Sequence, residues 1–267
     1  MTIDIEILQF LHYHPLANRT EIMAGLMETP SGSTVKRLLS AAVKEGNIET
    51  VGRGPSTKYR LTPQAHVTMP LDLATYFDKD VDERVVQESF NFDLIREVLP
   101  KVEIFTKEEL SVLFAAQKEF EKNTVGMTAL EYHKEMERLG VDLSWKSSQI
   151  EGNTYSLLET ERLLKDKQTA SGKTKEEAIM LLNHKDALDF VLDIPDYLKE
   201  LSVHRIEDIH SILTKELEVD RNIRHRRVGI TGTNYRPLDN EFQIREALED
   251  TCTLVNGKDN VFEKALL

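Results

Sequence analysis

Helix-start signals recur along this sequence at a spacing that leaves little room for anything but a helical fold. In a capping box, a Ser, Thr or Asn is followed three residues later by Glu, and the two side chains satisfy free backbone N–H groups at a helix N-terminus. Pairs with this spacing at predicted helix starts include Asn18–Glu21, Thr128–Glu131, Ser156–Glu159 and Thr174–Glu177. Each pair predicts a helix that starts there, so the predicted fold class is mainly α.

Helices are predicted almost without interruption after residue 100. Capping signals and apolar residues at helical spacing define these segments. They are 106–120, 128–140 with Gly140 as its end, a segment ending at 151, 156–165, 174–192, one starting at 202, and 240–255. Between the last two, the alternating stretch RRVGITGTNYRPL turns on Gly232 and predicts a short β-hairpin. The second half is therefore predicted to be a helical bundle with one small β-hairpin flap.

The first seventy residues carry a different pattern, namely three short helices followed by a hairpin. The third predicted helix is capped by Ser33 and ended by Gly46. The stretches NIETV and TKYRLT then alternate like two strands, and the Gly- and Pro-containing turn GRGPS joins them. This order resembles a winged helix-turn-helix domain, which we expect over residues 1–68.

A local excess of positive charge lies within this N-terminal pattern. Residues 31–60 contain six bases and two acids, a balance of +4, so the rest of the chain sums to −16 within the total of −12. In winged helix-turn-helix domains the third helix enters the major groove, and basic side chains contact phosphates. The candidate DNA-binding residues are Lys36, Arg37 and Lys44 on the third helix, and Arg53, Lys58 and Arg60 on or beside the wing. The alternative is an interaction or dimerisation domain whose bases only solvate its surface.

Cysteine content and hydropathy indicate a cytoplasmic protein. The single cysteine, Cys252, excludes an internal disulfide framework, and its apolar neighbours in TCTLV indicate a core position. The N-terminal stretch MTIDIEILQF carries acids where a signal peptide needs bases. No apolar run approaches the ~18 residues of a membrane span. We therefore expect no membrane partner.

Several short patterns that suggest catalysis have the wrong spacing. Gly172-Lys173-Thr174 resembles the end of a phosphate-binding loop, but that loop needs a glycine where this chain has Lys167. His204 and His210 are six residues apart, which separates them by about 120° around a helix, so they predict no metal site. The sequence therefore assigns no metal ligand and no phosphate-binding loop of this type.

The stretch SWKSSQIEGNTYS contains a charge in an unfavourable place. Gly152-Asn153 reads as a helix stop, so Glu151 falls in the last turn, where the helix dipole favours cations. The cost is modest, roughly 0.3–1 kcal/mol at an exposed site. A carboxylate placed at such a cost suggests a cationic partner elsewhere.

Several blocks of this sequence resemble the Fic family, in the order and at the spacing that the family shows. The blocks lie within residues 143–238 and are SSQIEGN, SLLETERLL, LLNHKDALDFVLD, IEDIHSILTKEL and RHRRVGITGTNYRPL. The upstream stretches YFDKDVDERV and FNFDLI resemble Fic proteins that carry a winged-helix module. The resemblance implies a Fic-like helical domain at 116–267, a linker and helical support segment at 69–115, and an inhibitory helix at about 141–152.

The resemblance also implies an activity and its inhibition. Fic proteins are mostly AMP transferases, which move AMP from ATP to a Ser, Thr or Tyr hydroxyl of a target protein, with ATP and Mg²⁺ as the implied ligands. The pattern Ser147-x-x-x-Glu151-Gly152, followed by Asn153, matches the family's inhibitory helix. There the glutamate pairs with an arginine of the active-site loop and obstructs the γ-phosphate of ATP.

The predicted hairpin matches the family's flap, which holds a target segment by main-chain pairing. The residues that this match assigns to the docking edge are Gly229, Ile230, Thr231, Gly232, Thr233, Asn234 and Tyr235. An ordinary loop that stiffens the fold is the alternative for this segment. The target protein is unknown, and the sequence leaves a homodimer open.

One departure from the family is large. Its catalytic loop, H-x-F-x-D/E-G-N-x-R, is found nowhere in the 267 residues, so no catalytic residue and no Mg²⁺ ligand is assigned. The last residues, NVFEKALL, resemble the start of the helix that leads into that loop, and we expect a version truncated before it, with the arginine for Glu151 beyond residue 267. The alternative is a DNA-binding regulator in which the Fic-like part is a non-catalytic scaffold.

Overall fold

The computed structural model divides the chain into two compact units. It describes residues 3–27, 30–70, 73–84, 88–219 and 223–267. The first unit comprises Met1–Lys107 with Gly229–Pro237, and the second comprises Glu108–Val228 with Leu238–Leu267. The described residues are mainly helical, with one small antiparallel sheet of three strands.

The first unit begins with three helices and a three-stranded sheet. The elements are α1 (Ile3–Tyr13), β1 (Ala17–Asn18), α2 (Arg19–Gly25), α3 (Gly32–Lys44), β2 (Ile48–Val51) and β3 (Lys58–Leu61). β3 lies in the middle of the sheet and pairs antiparallel with both neighbours, so that Tyr59 faces Ala17 on one side and Thr50 on the other. One apolar core joins all three helices to the sheet, with Ile7, Ile22, Leu39 and Ile48 buried in it.

Side-chain caps explain where these helices begin. The predicted capping box of α2 is confirmed, because Asn18 Oδ1 accepts from the Glu21 N–H while the Glu21 carboxylate accepts from the Asn18 N–H. The predicted cap of α3 is wrong by two residues. Ser31, not Ser33, accepts from the Thr34 N–H at 3.2 Å, because Ser31 has the extended backbone of a cap whereas Ser33 is already helical.

The remainder of the first unit consists of short helical turns. α4 (Pro63–Thr68) and α5 (Leu73–Asp78) are followed by single turns at Val81–Glu83, Leu94–Val98 and Leu99–Lys101. The Gln64 side chain donates to the Glu103 carbonyl at 2.6 Å and accepts from the Glu103 N–H at 3.0 Å. This pair of hydrogen bonds joins α4 to the end of the segment that follows it.

The second unit is a set of packed helices. Its elements are α6 (Lys107–Val125), α7 (Ala129–Ile150), α8 (Leu157–Asp166), α9 (Lys175–Asp193), α10 (Val203–Leu213), α11 (Glu241–Gly257) and α12 (Val261–Leu266). α9 is central, since it contacts α7, α8 and α10. The buried side chains of Tyr155, Leu163, Ala178 and Leu181 form a core between α8 and α9. Cys252 is buried in α11, as predicted, and burial raises the pKa of its thiol.

Gly140 lies inside α7, so the prediction that it ends a helix is wrong. The helix continues through Gly140 to Ile150, and Gly140 is buried. A Cβ placed there would lie 3.5 Å from Cδ and Cε of Lys185 on α9, an ordinary van der Waals distance. Glycine in a helix interior costs about 1 kcal/mol relative to alanine, which the tertiary contacts of α7 override.

The predicted hairpin at RRVGITGTNYRPL does not form. Residues 223–240 are all described and contain no strand. A turn at Thr231-Gly232 is present, with Gly232 at φ +81°, but no ladder of hydrogen bonds joins its two arms. Instead the Arg236 N–H donates to the Glu88 carbonyl at 2.9 Å, beside a parallel bridge between Ser89 and Arg236. Alternating residues predict an extended chain, but which segment this chain pairs with depends on tertiary contacts.

None of the described helices combines the length and the apolar composition needed to cross a bilayer.

A pair of histidines makes the stability of the first unit depend on pH. His12 at the end of α1 lies against His66 of α4, with ring centroids 4.8 Å apart. Burial lowers the pKa of His12, and the positive charge of His66 lowers this pKa further. Because the unfolded chain then binds the proton more readily than the folded one, the free energy of unfolding should fall as pH drops below 6.5.

We expect this loss between pH 7.5 and pH 5, and His12→Gln should reduce it. The measurement is a urea titration at each pH, followed through the backbone amide signals of α1 and α3. His133→Gln, at an exposed position of α7, is the matched control and should leave the pH dependence unchanged. Parallel loss of stability in wild type and His12→Gln would contradict this assignment.

Candidate functional site

The end of α7 is the best-defined feature among the predicted site residues. Gly152 N–H donates to the Gln149 carbonyl at 3.1 Å, and Asn153 N–H donates to the Ser148 carbonyl at 2.9 Å. Gly152 has φ +92°, the left-handed conformation that commonly closes a helix. The predicted stop is therefore confirmed, and Glu151 is the last residue before it.

Glu151 presents its carboxylate at the surface. Ser147 lies one turn before it and is half-buried, and their spacing places both on one side of α7. Among the described residues Glu151 forms no ion pair. His184 on α9 is close enough to sense its charge: burial lowers the pKa of His184, and the negative charge of Glu151 opposes that shift. No arginine among the described residues forms an ion pair with Glu151.

The turn that follows Glu151 is anchored to the helices around it. Asn153 is buried, its amide nitrogen donates to the Glu177 carbonyl at 2.8 Å, and its amide oxygen accepts from the Tyr155 N–H at 3.0 Å. Tyr155 is 1% exposed, and its carbonyl accepts from the indole N–H of Trp145 at 2.9 Å. The position of Glu151 is therefore set by two structures, the helix before it and the buried turn after it.

Sequence reasoning missed a second anchor, formed by Glu177, Thr154 and Lys173. One carboxylate oxygen of Glu177 accepts from the Thr154 N–H at 2.8 Å and from the Thr154 hydroxyl. Lys173 Nζ donates to the Thr154 carbonyl at 2.6 Å and to its hydroxyl at 3.0 Å. Hydrogen bonds from the Thr154 hydroxyl and from the backbone N–H groups of Thr174 and Thr154 lower the pKa of Glu177 to about 2. The sequence signalled only the capping role of Glu177.

The candidate DNA-binding residues all lie at the surface of the first unit. Those on α3 are exposed, whereas Val35 and Leu39 of the same helix are buried. On the hairpin, Arg60 forms an ion pair with Glu49 across β2 and β3. The exposed candidates are Lys36, Arg37, Lys44, Arg53, Lys58 and Arg60.

The predicted flap and the predicted end of the inhibitory helix belong to different compact units. Residues 229–237 belong to the first unit, and residues 147–153 belong to the second. Within the flap, Tyr235 and Thr233 are half-buried, and the Tyr235 N–H donates to the Thr233 hydroxyl at 3.2 Å. The flap residues form a loop with a single turn, not the paired edge that we predicted.

The described residues contain no cluster that fits Mg²⁺, and neither Gly152-Asn153 nor Gly172-Lys173 offers a site for the phosphates of ATP. No group of three or more His, Cys, Asp or Glu side chains among them could hold a metal ion. Gly152-Asn153 lies at a helix C-terminus, where carbonyl groups are exposed, whereas phosphates bind at helix N-termini. Gly172-Lys173 does precede a helix, but its lysine is bound to Thr154.

Comparison of this chain with protein-family models, with curated proteins and with solved structures found no match in any of the three.

We expect Gly152→Ala to destabilise the second unit. The position has φ +92° and no heavy atom within 4 Å of an added Cβ, so the cost is backbone strain alone, roughly 1–2 kcal/mol. Urea unfolding followed by the fluorescence of Trp145, the single tryptophan, measures it. Gly126→Ala is the matched control, because that site is equally open and its φ is not left-handed. Equal effects at both positions would show that the left-handed turn contributes nothing.

Proposed function

We propose that this chain carries the regulatory part of a Fic-type AMP transferase, in which Glu151 is the obstructing carboxylate. The observation that carries the proposal is the carboxylate of Glu151 at the surface of a firmly anchored helix end. A solvated acid at a helix C-terminus is slightly unfavourable, whereas a bidentate bond to a guanidinium would more than offset the dipole penalty. The order of the sequence blocks over residues 143–238 supports the same assignment.

The proposed inhibition is a competition for one arginine. In AMP transfer a target hydroxyl attacks the α-phosphate of ATP, a new O–P bond forms, and pyrophosphate leaves. An arginine that holds the outer phosphates cannot at the same time form a bidentate pair with Glu151. Glu151 therefore acts by keeping the arginine occupied and by placing a negative charge where the γ-phosphate would lie.

The catalytic loop of the family is absent from these 267 residues, and among the described residues no group of three or more His, Cys, Asp or Glu side chains could hold a metal ion. The transfer reaction is thus proposed for the protein together with whichever segment or partner supplies that loop. This chain contributes the inhibitory carboxylate, the helical scaffold and the loop at 229–237.

We expect Glu151→Gly to raise AMP transfer by at least tenfold in the protein purified from its native host. The reason is that the arginine is released to bind phosphate, and the measurement is incorporation of label from α-labelled ATP into protein. Glu176→Gln, an exposed acid elsewhere in the same unit, is the control and should behave as wild type. Absence of label in both wild type and Glu151→Gly would refute the proposed activity.

DNA binding by the first unit is a second candidate function, favoured by the basic outer face of α3. We propose that α1, α2, α3 and the β2–β3 hairpin form a winged helix-turn-helix domain. Lys36, Arg37 and Lys44 are exposed; Arg37 and Lys44 lie roughly opposite the buried Val35 around the helix, and Lys36 lies at the flank of the apolar face. A helix with this distribution can enter the major groove while the hairpin contacts phosphates.

We expect binding to duplex DNA that weakens steeply with salt. Arg37→Gln should reduce the slope of log K against log salt concentration by about 0.9, the value for one phosphate contact. Fluorescence anisotropy over a salt series measures the slope on genomic fragments. Lys122→Gln, an exposed base on α6, is the control. A slope that is the same in wild type and in Arg37→Gln excludes Arg37 as a phosphate contact.

A further inference from the structure

The helices α7, α8 and α9 begin with the same capping box, and of these three boxes the one at α9 also binds a residue outside its own helix start. Glu131 accepts from the N–H and hydroxyl of Thr128, and Glu159 accepts from the N–H and hydroxyl of Ser156. Glu177 accepts from the Thr174 N–H in the same way. Its second oxygen, however, binds the N–H and the hydroxyl of Thr154, 23 residues earlier in the chain.

This second bond ties the turn after Glu151 to the N-terminus of α9. The buried side-chain amide of Asn153 also donates to the Glu177 carbonyl. Glu177 therefore binds two consecutive residues of the turn, Asn153 and Thr154. Lys173 Nζ also donates a hydrogen bond to the Thr154 carbonyl. Between this anchor and Glu151 lies only Gly152, which is exposed and has open space around it.

We propose that Glu177 is a positioning residue that holds the Glu151 turn against α9, and that loosening its bond to Thr154 relieves inhibition. The inference rests on the proposed function of Glu151. The physical reason is that the exposed Gly152 next to the carboxylate allows backbone rotation, which the bonds of the residues beyond it restrict. With Thr154 released, the N–H of Glu151 stays bonded to the Ser147 carbonyl, but the turn is held to α9 through Asn153 without the Glu177 carboxylate, so Glu151 is positioned less firmly and pairs less well with the arginine.

The substitution Glu177→Gln separates the two roles of this side chain. A Gln amide oxygen can still complete the capping box by accepting from the Thr174 N–H, so α9 keeps its start. The amide nitrogen is a donor only and cannot accept from the Thr154 N–H. Glu159→Gln is the matched control, because it makes the same change in a capping box that does not bind Thr154.

Hydrogen exchange on the 267-residue chain tests the structural half of the inference. We expect the Thr154 amide to exchange roughly tenfold faster, or more, in Glu177→Gln, since a charge-assisted hydrogen bond is lost. The Ser156 and Leu163 amides should be unaffected, and Glu159→Gln should leave Thr154 at the wild-type rate. Unchanged exchange at Thr154 in Glu177→Gln overturns the inference.

A double-mutant cycle in the native-source protein tests the regulatory half. We expect Glu177→Gln to raise AMP transfer severalfold in the wild-type background and to add nothing in the Glu151→Gly background, because it acts through Glu151. A role in general stability alone would affect both backgrounds equally, and that result overturns the inference. If transfer responds to Glu151→Gly but not to Glu177→Gln, the inference fails and the proposed function stands. If Glu151→Gly has no effect, the proposed function itself fails, and the regulatory role of Glu177 fails with it.

Discussion

The turn between α7 and α8, in which Asn153 and Tyr155 are buried, is held by the hydrogen bonds on which the candidate site depends. Its carbonyl and amide groups are bound by Trp145 of α7 and by the side chain and carbonyl of Glu177 on α9. At its centre Tyr155 is almost fully buried in the core between α8 and α9. This turn therefore leads into α8 and is bonded to both α7 and α9. The polar groups of its buried residues are stable there because their hydrogen bonds are satisfied.

The same turn explains why a surface carboxylate can hold a defined position. Helix ends usually fray, because the backbone carbonyl groups of the last turn have no hydrogen-bond partners within the helix. Here Asn153 and Thr154 are held by hydrogen bonds to Glu177 and Lys173, so this end of α7 combines an exposed carboxylate with an anchored turn.

Sequence patterns were most reliable where neighbouring residues determine the structure, although the cap of α3 was predicted at Ser33 and lies at Ser31. The capping boxes at Asn18, Thr128, Ser156 and Thr174 all form, since their partners lie three residues apart and need no tertiary contact. The patterns failed at Gly140 and at RRVGITGTNYRPL, where the outcome depends on residues far along the chain. Of the candidate site, the helix stop at Gly152 was predictable, whereas the bonds from Glu177 and Lys173 to Thr154 were not.

The sequence alone determined that the chain is mainly helical, where most helices start, and that Glu151 sits at a helix end with an unfavourable dipole. These properties follow from local hydrogen bonding and from apolar spacing. Only the tertiary structure decided that α7 continues through Gly140, that residues 229–237 do not pair with themselves, and that Glu177 holds the turn beyond Glu151. Each of these depends on groups brought together across 20 or more residues, and hydrophobic packing, not local propensity, selects such contacts.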